Sequence, residues 1–249
     1  MQTVELSNVL ITGAAGDIGN GLVSCFLARG HRVLGLDLAP QMTGQFQGRE
    51  LFNYQTCDLT DPKATAAAIH SFIATHGAIQ VVINNVGLIY NCPVVSYVNG
   101  KLTGHSMDDW DRVLAVTLTT AFSVSTLCLL PMLEKGEGGV IINISSISAD
   151  GNPGQSAYSA AKGAVNSMTI SQAKELGPFG IRVGAIAPGF IDTPSTLNAM
   201  GIDALKKLKR NIPLRRLGQV SEVCHAAVFI VENQYYTGSV LELNGGLTI

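Results

Sequence analysis

The chain has 249 residues and a mass of 26.2 kDa, which suits one large α/β domain and excludes fibrous and disordered proteins. Only 14% of its residues are charged, against about 25% in an average soluble domain, so it needs a large core, an apolar surface covered by another subunit, or a membrane segment. A net charge of −2 and an isoelectric point near 6.2 argue against a nucleic-acid partner, because such domains carry a basic face.

Short apolar runs alternate with stretches of helical period along the chain, and no linker divides them. The runs predict strands at 9–11, 32–36, 79–83, 139–144, 181–186 and 239–243. The helical period predicts helices at 18–29, 62–76, 107–133, 157–176 and 221–230. Near-continuous apolar strands are typical of a parallel sheet covered on both faces. We therefore predict an α/β fold with one domain over 1–249, built as a doubly wound parallel sheet of Rossmann type with helices on both faces.

A glycine-rich turn follows the first predicted strand and leads into a helix, with the sequence Thr12-Gly13-Ala14-Ala15-Gly16-Asp17-Ile18-Gly19. Glycines there let the backbone approach a pyrophosphate, whose charge meets free N–H groups at the helix N-terminus. Asp37 ends the second strand, where a carboxylate accepts hydrogen bonds from an adenosine ribose and repels a 2′-phosphate. The two features predict a dinucleotide site that prefers NAD(H) to NADP(H). A glycine-rich turn without a ligand is the alternative.

Further motifs follow in chain order: Cys57-Asp58-Leu59, Asn84-Asn85-Val86-Gly87, Tyr158-Ser159-Ala160-Ala161-Lys162, and Pro188-Gly189 with Thr193 after it. With the glycine-rich turn, they make essentially the whole chain resemble the short-chain dehydrogenase/reductase family. The resemblance is loosely nearest the 3-hydroxyacyl-CoA and hydroxysteroid dehydrogenase branch. It implies a dinucleotide-binding half at about 1–90, a catalytic and substrate half at about 91–249, and interconversion of a secondary alcohol and a ketone.

The resemblance also implies which residues contact the cofactor. These are Gly13, Asp17, Ile18, Gly19, Asp37, Asp58, Leu59, Asn85, Gly87, Tyr158, Lys162, Pro188, Gly189, Ile191 and Thr193.

Tyr158 and Lys162 are the candidate catalytic pair, because residues four apart share one face of a helix. A nearby ammonium favours phenolate, so we expect Lys162 to lower the Tyr158 pKa from its ordinary value of about 10. Tyr158 then serves as general acid and base. The resemblance assigns Ser145, thirteen residues before Tyr158, to holding the substrate oxygen. The plain alternatives are a turn-capping serine and a tyrosine on a helix surface.

Two positions depart from the family pattern. Asp17 stands where the family has its middle glycine, and a carboxylate there opposes a pyrophosphate unless its side chain turns away. Thr117 stands where the family places a catalytic asparagine that holds a relay water. Both departures support the alternative function, a non-catalytic nucleotide-binding homologue that acts as a structural or regulatory subunit.

The segments 88–105 and 193–217 are predicted to line the substrate pocket. The first contributes an apolar and aromatic wall suited to a small carbonyl or secondary-alcohol substrate, formed by Tyr90, Cys92, Pro93, Val94, Val95, Tyr97 and Val98. The second carries the cations Lys206, Lys207, Lys209, Arg210, Arg215 and Arg216. They either steer an anionic substrate or form a solvated helix face.

The remaining sequence features concern the cellular location, metal binding, membrane spanning and oligomeric state of the protein. The five cysteines lack ligand or pairing spacing and indicate reduced core residues of a cytoplasmic protein, and the five histidines lack metal-ligand spacing, so no metal is predicted. Polar residues and Pro131 interrupt the apolar run 113–133, so no membrane span is predicted. The charge-poor stretches 107–133 and 157–176 predict a subunit interface in a homotetramer or homodimer.

Overall fold

The structure is a computed structural model that describes residues 7–42, 46, 49–98 and 100–248. Its strands are β1 Asn8–Thr12, β2 Arg32–Asp37, β3 Phe52–Thr56, β4 Val81–Asn84, β5 Val95–Val98, β6 Lys101–Gly104, β7 Gly139–Ile144, β8 Ile181–Pro188 and β9 Val240–Leu243. Seven of them form one parallel sheet in the order β3-β2-β1-β4-β7-β8-β9, and β5 and β6 pair as a separate antiparallel hairpin. The predicted fold class is confirmed.

The helices are α1 Asp17–Ala28, α2 Pro62–His76, α3 Met107–Leu114, α4 Thr120–Lys135, α5 Ser156–Leu176, α6 Pro194–Asn198, α7 Ile202–Asn211 and α8 Val220–Glu232. A π-helical turn, Ala115–Thr119, joins α3 to α4, and a 3-10 turn, Ile147–Asp150, precedes α5. Helices α1 and α8 pack on one face of the sheet, while α2, α4 and the end of α5 pack on the other. The central strands are therefore buried on both sides, as their apolar sequences predict.

The strand order reverses between β1 and β4. The chain winds outward from β1 through β2 to β3, then returns to the other side of β1 for β4, β7, β8 and β9. The two windings leave a crevice at the carboxyl ends of β1 and β4, where ligands of doubly wound sheets bind.

A buried polar network joins the sheet to two helices behind this crevice. Asn84 on β4 donates to Asn143 on β7 and to Ser125 on α4, at 2.8 and 2.9 Å. Asn143 in turn donates to Thr169 on α5 at 2.9 Å. Because all four side chains are buried, these bonds fix the positions of α4 and α5 on the sheet.

The helical run Met107–Lys135 is long and apolar enough, by length and composition, to cross a membrane. In the fold it is interrupted by the π-helical turn, and α4 packs on β4 and β7 through Val124, Cys128 and Met132. These contacts are those of a core helix of the α/β sandwich.

Four elements were not predicted from the sequence: β3, the β5–β6 hairpin, α6 and α7. Strand β3 has the mixed sequence Phe-Asn-Tyr-Gln-Thr and is only half-buried, since it lies at the edge of the sheet. For the hairpin a signal was present, because the sequence Asn-Gly at 99–100 lies between two short strand-forming runs.

Candidate active site

A cavity of about 390 Å³, called the cleft below, lies at the carboxyl ends of the central strands. The predicted site residues that line it are Asp17, Ile18, Asn85, Gly87, Ser145, Tyr158, Lys162, Pro188, Gly189, Ile191 and Thr193. The predicted site residues outside its lining are Gly13, Gly19, Asp37, Asp58, Leu59 and Thr117.

The glycine-rich turn after β1 needs glycine at two positions. Gly13 has a φ of +65°, in the left-handed region that favours glycine. A Cβ on Gly19 would lie 1.9 Å from the Gly13 carbonyl oxygen, so the first turn of α1 packs directly on the backbone before it. This packing brings the free N–H groups at the N-terminus of α1 to the edge of the cleft.

Thr12 and Asn85 lock this turn to the turn after β4. The Thr12 hydroxyl accepts hydrogen bonds from the backbone N–H groups of Asn85 and Val86, at 2.9 and 3.2 Å. The Asn85 amide donates to the carbonyl oxygens of Thr12 and Gly13, at 3.1 Å each. The role of Thr12 in joining the two turns was not predicted from the sequence, although Thr12 opens the glycine-rich motif.

Asp37 lies at the end of β2 beside the glycine-rich turn. One carboxylate oxygen accepts from the Ala15 N–H at 2.9 Å and the other from the Ala39 N–H at 3.0 Å. These bonds hold the carboxylate at the place predicted for an adenosine ribose. Further along, Asp58 is exposed and bonded to Thr60, whereas the Leu59 side chain packs in the core and does not face the cleft.

The Asp17 carboxylate turns toward a neighbouring helix. Its Oδ2 accepts from the Ser195 N–H, in the first turn of α6, at 3.2 Å. The structure thus provides the arrangement that the sequence analysis required of an aspartate at this position, although Asp17 still lines the cleft.

Tyr158 and Lys162 project from α5 into the cleft and are 7% and 3% exposed. The Lys162 ammonium donates to the Ile144 carbonyl at 2.5 Å and lies 5.7 Å from the centre of the Tyr158 ring. Burial lowers the pKa of Lys162 to about 8. Burial also raises the pKa of Tyr158 to about 12, against the opposing effect of a hydrogen bond with Ser146. The expected lowering of the Tyr158 pKa was wrong, because desolvation of the phenolate outweighs every favourable contact there.

Two adjacent serines follow β7, and their hydroxyls have different partners. Ser145 donates to the backbone carbonyl of Lys162, at 3.5 Å. Ser146 accepts from the Ser148 N–H, at 3.1 Å. Both serines line the cleft together with Tyr158.

Thr117 lies beneath the cleft in the π-helical turn between α3 and α4. Its buried hydroxyl accepts from the Leu88 N–H at 3.0 Å, which ties the turn to the segment after β4. Nearby, a Cβ on Gly87 would lie 3.1 Å from the Lys162 ammonium, so the lysine occupies the space that a side chain would need.

A cluster of polar side chains forms one wall of the cleft. The Gln155 side-chain oxygen accepts from the Ser148 hydroxyl and from the Asn152 amide, at 2.9 Å each. The Gln155 amide donates to Asn91 at 2.6 Å. All four side chains line the cleft, and they leave further amide groups able to bond a ligand.

Apart from Val98, whose side chain lies outside the described part of the structure, the predicted members of the apolar wall do not line the cleft. Tyr90 bonds Asp109 at 2.6 Å and packs against α3, while Val94, Val95 and Tyr97 stand out in the exposed hairpin. From the segment 88–105, the residues that line the cleft are instead Ile89 and Asn91. The hairpin carries the rest of the segment away because β5 and β6 pair only with each other among the described strands.

The segment 193–217 contributes its beginning to the cleft. Thr193, Ser195, Thr196, Ala199 and Met200 line it. The cations from Lys206 to Arg216 do not, and Arg216 pairs with Glu222 at 2.7 Å. This position favours the solvated helix face over the steering of an anionic substrate. Among the described residues, no group of three or more His, Cys, Asp or Glu side chains is placed to hold a metal ion.

Comparison with known proteins decides the family. A family model described as enoyl-(acyl carrier protein) reductase matches residues 13–248, almost the whole chain. The chain belongs to the short-chain dehydrogenase/reductase family. It is therefore an oxidoreductase of a family that uses nicotinamide cofactors.

Relatives within the family include enzymes of fatty-acyl chemistry. A 3-oxoacyl-[acyl-carrier-protein] reductase of Thermotoga maritima is 33% identical, over 96% of this chain and 97% of the relative. Human 3-hydroxyacyl-CoA dehydrogenase type-2 is also 33% identical, over 96% of this chain and 94% of its own. A solved structure, the ligand-free aldohexose dehydrogenase of Thermoplasma acidophilum, is similar with a TM-score of 0.83 at 27% identity, covering 97% of this chain and 94% of its own.

Proposed function

We propose that this protein is an NAD(H)-dependent oxidoreductase that interconverts a secondary alcohol and a ketone by hydride transfer. The observation that carries the proposal is the juxtaposition of Ser145, Tyr158 and Lys162 in a cleft at the carboxyl edge of the sheet. A purely structural nucleotide-binding subunit has no need for a buried phenol and a buried ammonium side by side.

The residues around the cleft fit a nicotinamide dinucleotide. The glycine-rich turn leaves no room for a Cβ at Gly19 and offers the N-terminus of α1 to a pyrophosphate. The fixed Asp37 carboxylate suits an adenosine ribose and opposes a 2′-phosphate, which supports NAD(H) over NADP(H). When bound, the cofactor supplies or accepts the hydride, and the protein supplies the proton and the orientation.

Tyr158 is proposed as the general acid and base. With a pKa near 12, its phenol is protonated at neutral pH and is ready to donate a proton to a carbonyl oxygen during reduction. Oxidation needs the phenolate, so we expect the oxidative rate to rise with pH. The Lys162 ammonium, 5.7 Å from the ring centre, is the cation placed to favour that phenolate.

Ser145, which lines the cleft at the end of β7, is proposed to hold the substrate oxygen by a hydrogen bond, the role that the family resemblance assigns to it. The substrate is proposed to be neutral and to carry a second oxygen near the reacting carbon, because the wall of Asn91, Ser148, Asn152 and Gln155 offers neutral hydrogen-bonding groups. The 3-oxoacyl end of a thioester is neutral and carries a second oxygen in the thioester carbonyl, so it has both features at the reacting end. We also propose a cytoplasmic location and a homodimer or homotetramer.

The test combines cofactor binding with turnover. NADH and NADPH are titrated by cofactor fluorescence, and turnover is then measured with a 3-oxoacyl thioester, a sugar and a simple ketone of similar size. The proposal predicts tighter binding of NADH and faster reduction of the oxygen-rich compounds. An Asp37→Ala variant should lose the preference for NADH. Binding without turnover of any compound would support the non-catalytic alternative.

A further inference from the structure

Two cysteines outside the cleft face each other across a helix pair. Cys25 lies on α1 and Cys224 on α8, and neither lines the cleft. Both are free thiols, and they lie close enough for each to shift the pKa of the other. The proposed reaction in the cleft makes no use of either residue.

Gly21 explains why the two thiols meet. A Cβ at this position would lie 2.2 Å from Val220 Cγ1 and 3.6 Å from Cys224 Sγ, so α1 and α8 come together where α1 lacks a side chain. Cys25 is one helical turn beyond Gly21 and therefore shares its face. The close approach of the helices places Cys25 against the same apolar cluster that contains Cys224.

Arg29 activates one member of the pair. Its Nη1 lies 2.9 Å from Cys25 Sγ, one turn further along the same helix. The neighbouring Cys224 side chain and the charge of Arg29 lower the pKa of Cys25. Cys25 is half-buried, whereas Cys224 is buried, so a small solute in water reaches Cys25 first.

The other cysteines lack this combination. Burial raises the pKa of Cys57 and of Cys128, and both are buried. Cys92 is half-buried, but the contact of its sulfur is the Pro93 carbonyl at 3.5 Å. An activating cation beside a second thiol distinguishes Cys25.

We propose that Cys25 is a peroxide-reactive thiol and that Cys224 resolves its oxidised form into a disulfide that links α1 to α8. The Cys25 thiolate attacks hydrogen peroxide, an S–O bond forms, the O–O bond breaks and hydroxide leaves, giving a sulfenic acid. Cys224 then attacks the sulfenic sulfur, an S–S bond forms, and the S–O bond breaks. The released oxygen and the thiol protons leave as water. In sum, two thiols and one peroxide give one disulfide and two waters.

The bond would join residues far apart in the sequence and so constrain the unfolded chain strongly. We therefore expect the oxidised protein to melt at a higher temperature than the reduced protein. Because the pair lies outside the cleft, the oxidised protein keeps its affinity for NADH within about twofold.

The test uses the whole reduced protein and one equivalent of hydrogen peroxide at pH 7. Non-reducing peptide mapping by mass spectrometry should find the Cys25 peptide linked to the Cys224 peptide, and the count of free thiols should fall from five to three. The melting temperature should rise and return after treatment with dithiothreitol. Recovery of Cys25 as a free thiol or a sulfinic acid, with no linked peptide, would overturn the proposal.

Variants separate the two roles. In Cys224→Ser, peroxide should leave a sulfenic acid at Cys25 that dimedone labels, and in Cys25→Ser no label should appear at position 224. Arg29→Leu should slow alkylation of Cys25 by iodoacetamide at pH 7 about fivefold, the change in thiolate fraction when a pKa of about 7 rises by one unit. Cys92→Ser is the matched control and should still form the linked peptide. A Cys92→Ser protein that forms none would contradict the assignment.

Discussion

Ser145 and Ser146 are neighbours in the sequence, yet their hydroxyls face different partners. Ser145 bonds the backbone of α5, and Ser146 accepts from the Ser148 N–H at the start of the 3-10 turn. The residue types of this site are readable from the sequence, because serine, tyrosine and lysine recur in family order. The partners of the two hydroxyls are not, since they depend on how the 3-10 turn Ile147–Asp150 directs the chain between β7 and α5.

The serine assignment predicts a contrast between two substitutions. Ser145→Ala should lower kcat for ketone reduction about 100-fold, because it removes the hydrogen-bond donor proposed to hold the substrate oxygen. Ser146→Ala should change kcat less than about fivefold and serves as the matched control. Steady-state kinetics with a substrate found by the turnover panel measure both. A larger loss in Ser146→Ala would contradict the assignment.

We predict that Lys162 is needed for turnover but destabilises the folded protein, because its ammonium is buried. Lys162→Met should abolish turnover but raise the melting temperature at pH 7, because an ammonium with a pKa near 8 is costly to bury by about 3 kcal/mol. Below pH 8 the folded and unfolded chains both carry the Lys162 proton, so the stability difference between Lys162→Met and the wild type does not change with pH. As pH rises from about 8 to about 10.5, the folded chain loses the proton before the unfolded chain does, and the stability of the wild type rises toward that of the variant.

Thermal unfolding of both proteins across this pH range measures the effect. Lys174→Met, at an exposed position of the same helix, should show almost no difference from the wild type at any pH. A Lys162→Met protein that is less stable than the wild type at pH 7 would refute the argument.

Among the elements, those of the central sheet and its long helices follow from the sequence, because a buried strand or helix needs a continuous apolar pattern. Strand β3 and helices α6 and α7 could not be predicted in this way. They lie at an edge of the sheet or on the surface and bury little apolar side-chain area, so their sequences carry no such pattern. The β5–β6 hairpin was mispredicted for a related reason, since apolar residues need not be buried. Its apolar side chains predicted a pocket wall, but Val95 and Tyr97 are 59% and 73% exposed.

The Thr117 hydroxyl ties the π-helical turn between α3 and α4 to the segment after β4. Thr117→Val keeps the shape of the side chain but removes the acceptor of the Leu88 N–H, so we expect a loss of about 1–3 kcal/mol in the free energy of unfolding. Chemical denaturation measures this loss. Thr126→Val is the control, since the exposed Thr126 hydroxyl bonds only a carbonyl of its own helix among the described residues. Equal stability of the two variants would contradict the role of Thr117.

For the whole molecule, the low content of charge has two sources in the fold. The central strands and the inner helix faces form an extensive core on both sides of the sheet. Apolar side chains also remain outside it, with Phe122 and Leu130 of α4 at 55% and 67% exposed. A face of this kind on a charge-poor helix fits a subunit interface.

If a second subunit covers this face of α4, the protein is an oligomer, and negative charges introduced into the face should dissociate it. The wild type should be a dimer or tetramer by light scattering at micromolar concentration, and the double variant Phe122→Asp, Leu130→Asp should be smaller. Ile202→Asp, at an exposed apolar residue of α7, is the control and should leave the mass unchanged. A monomeric wild type would refute the interface.

The central claim is that Tyr158 moves the proton that accompanies hydride transfer. Its most direct test is the rate of NADH oxidation in a single turnover with a reducible ketone, compared between the wild type and Tyr158→Phe. We expect Tyr158→Phe to bind NADH as the wild type does and to transfer hydride at least about 1,000 times more slowly, because phenylalanine keeps the ring and lacks the proton. Transfer by Tyr158→Phe at the wild-type rate would contradict the mechanism.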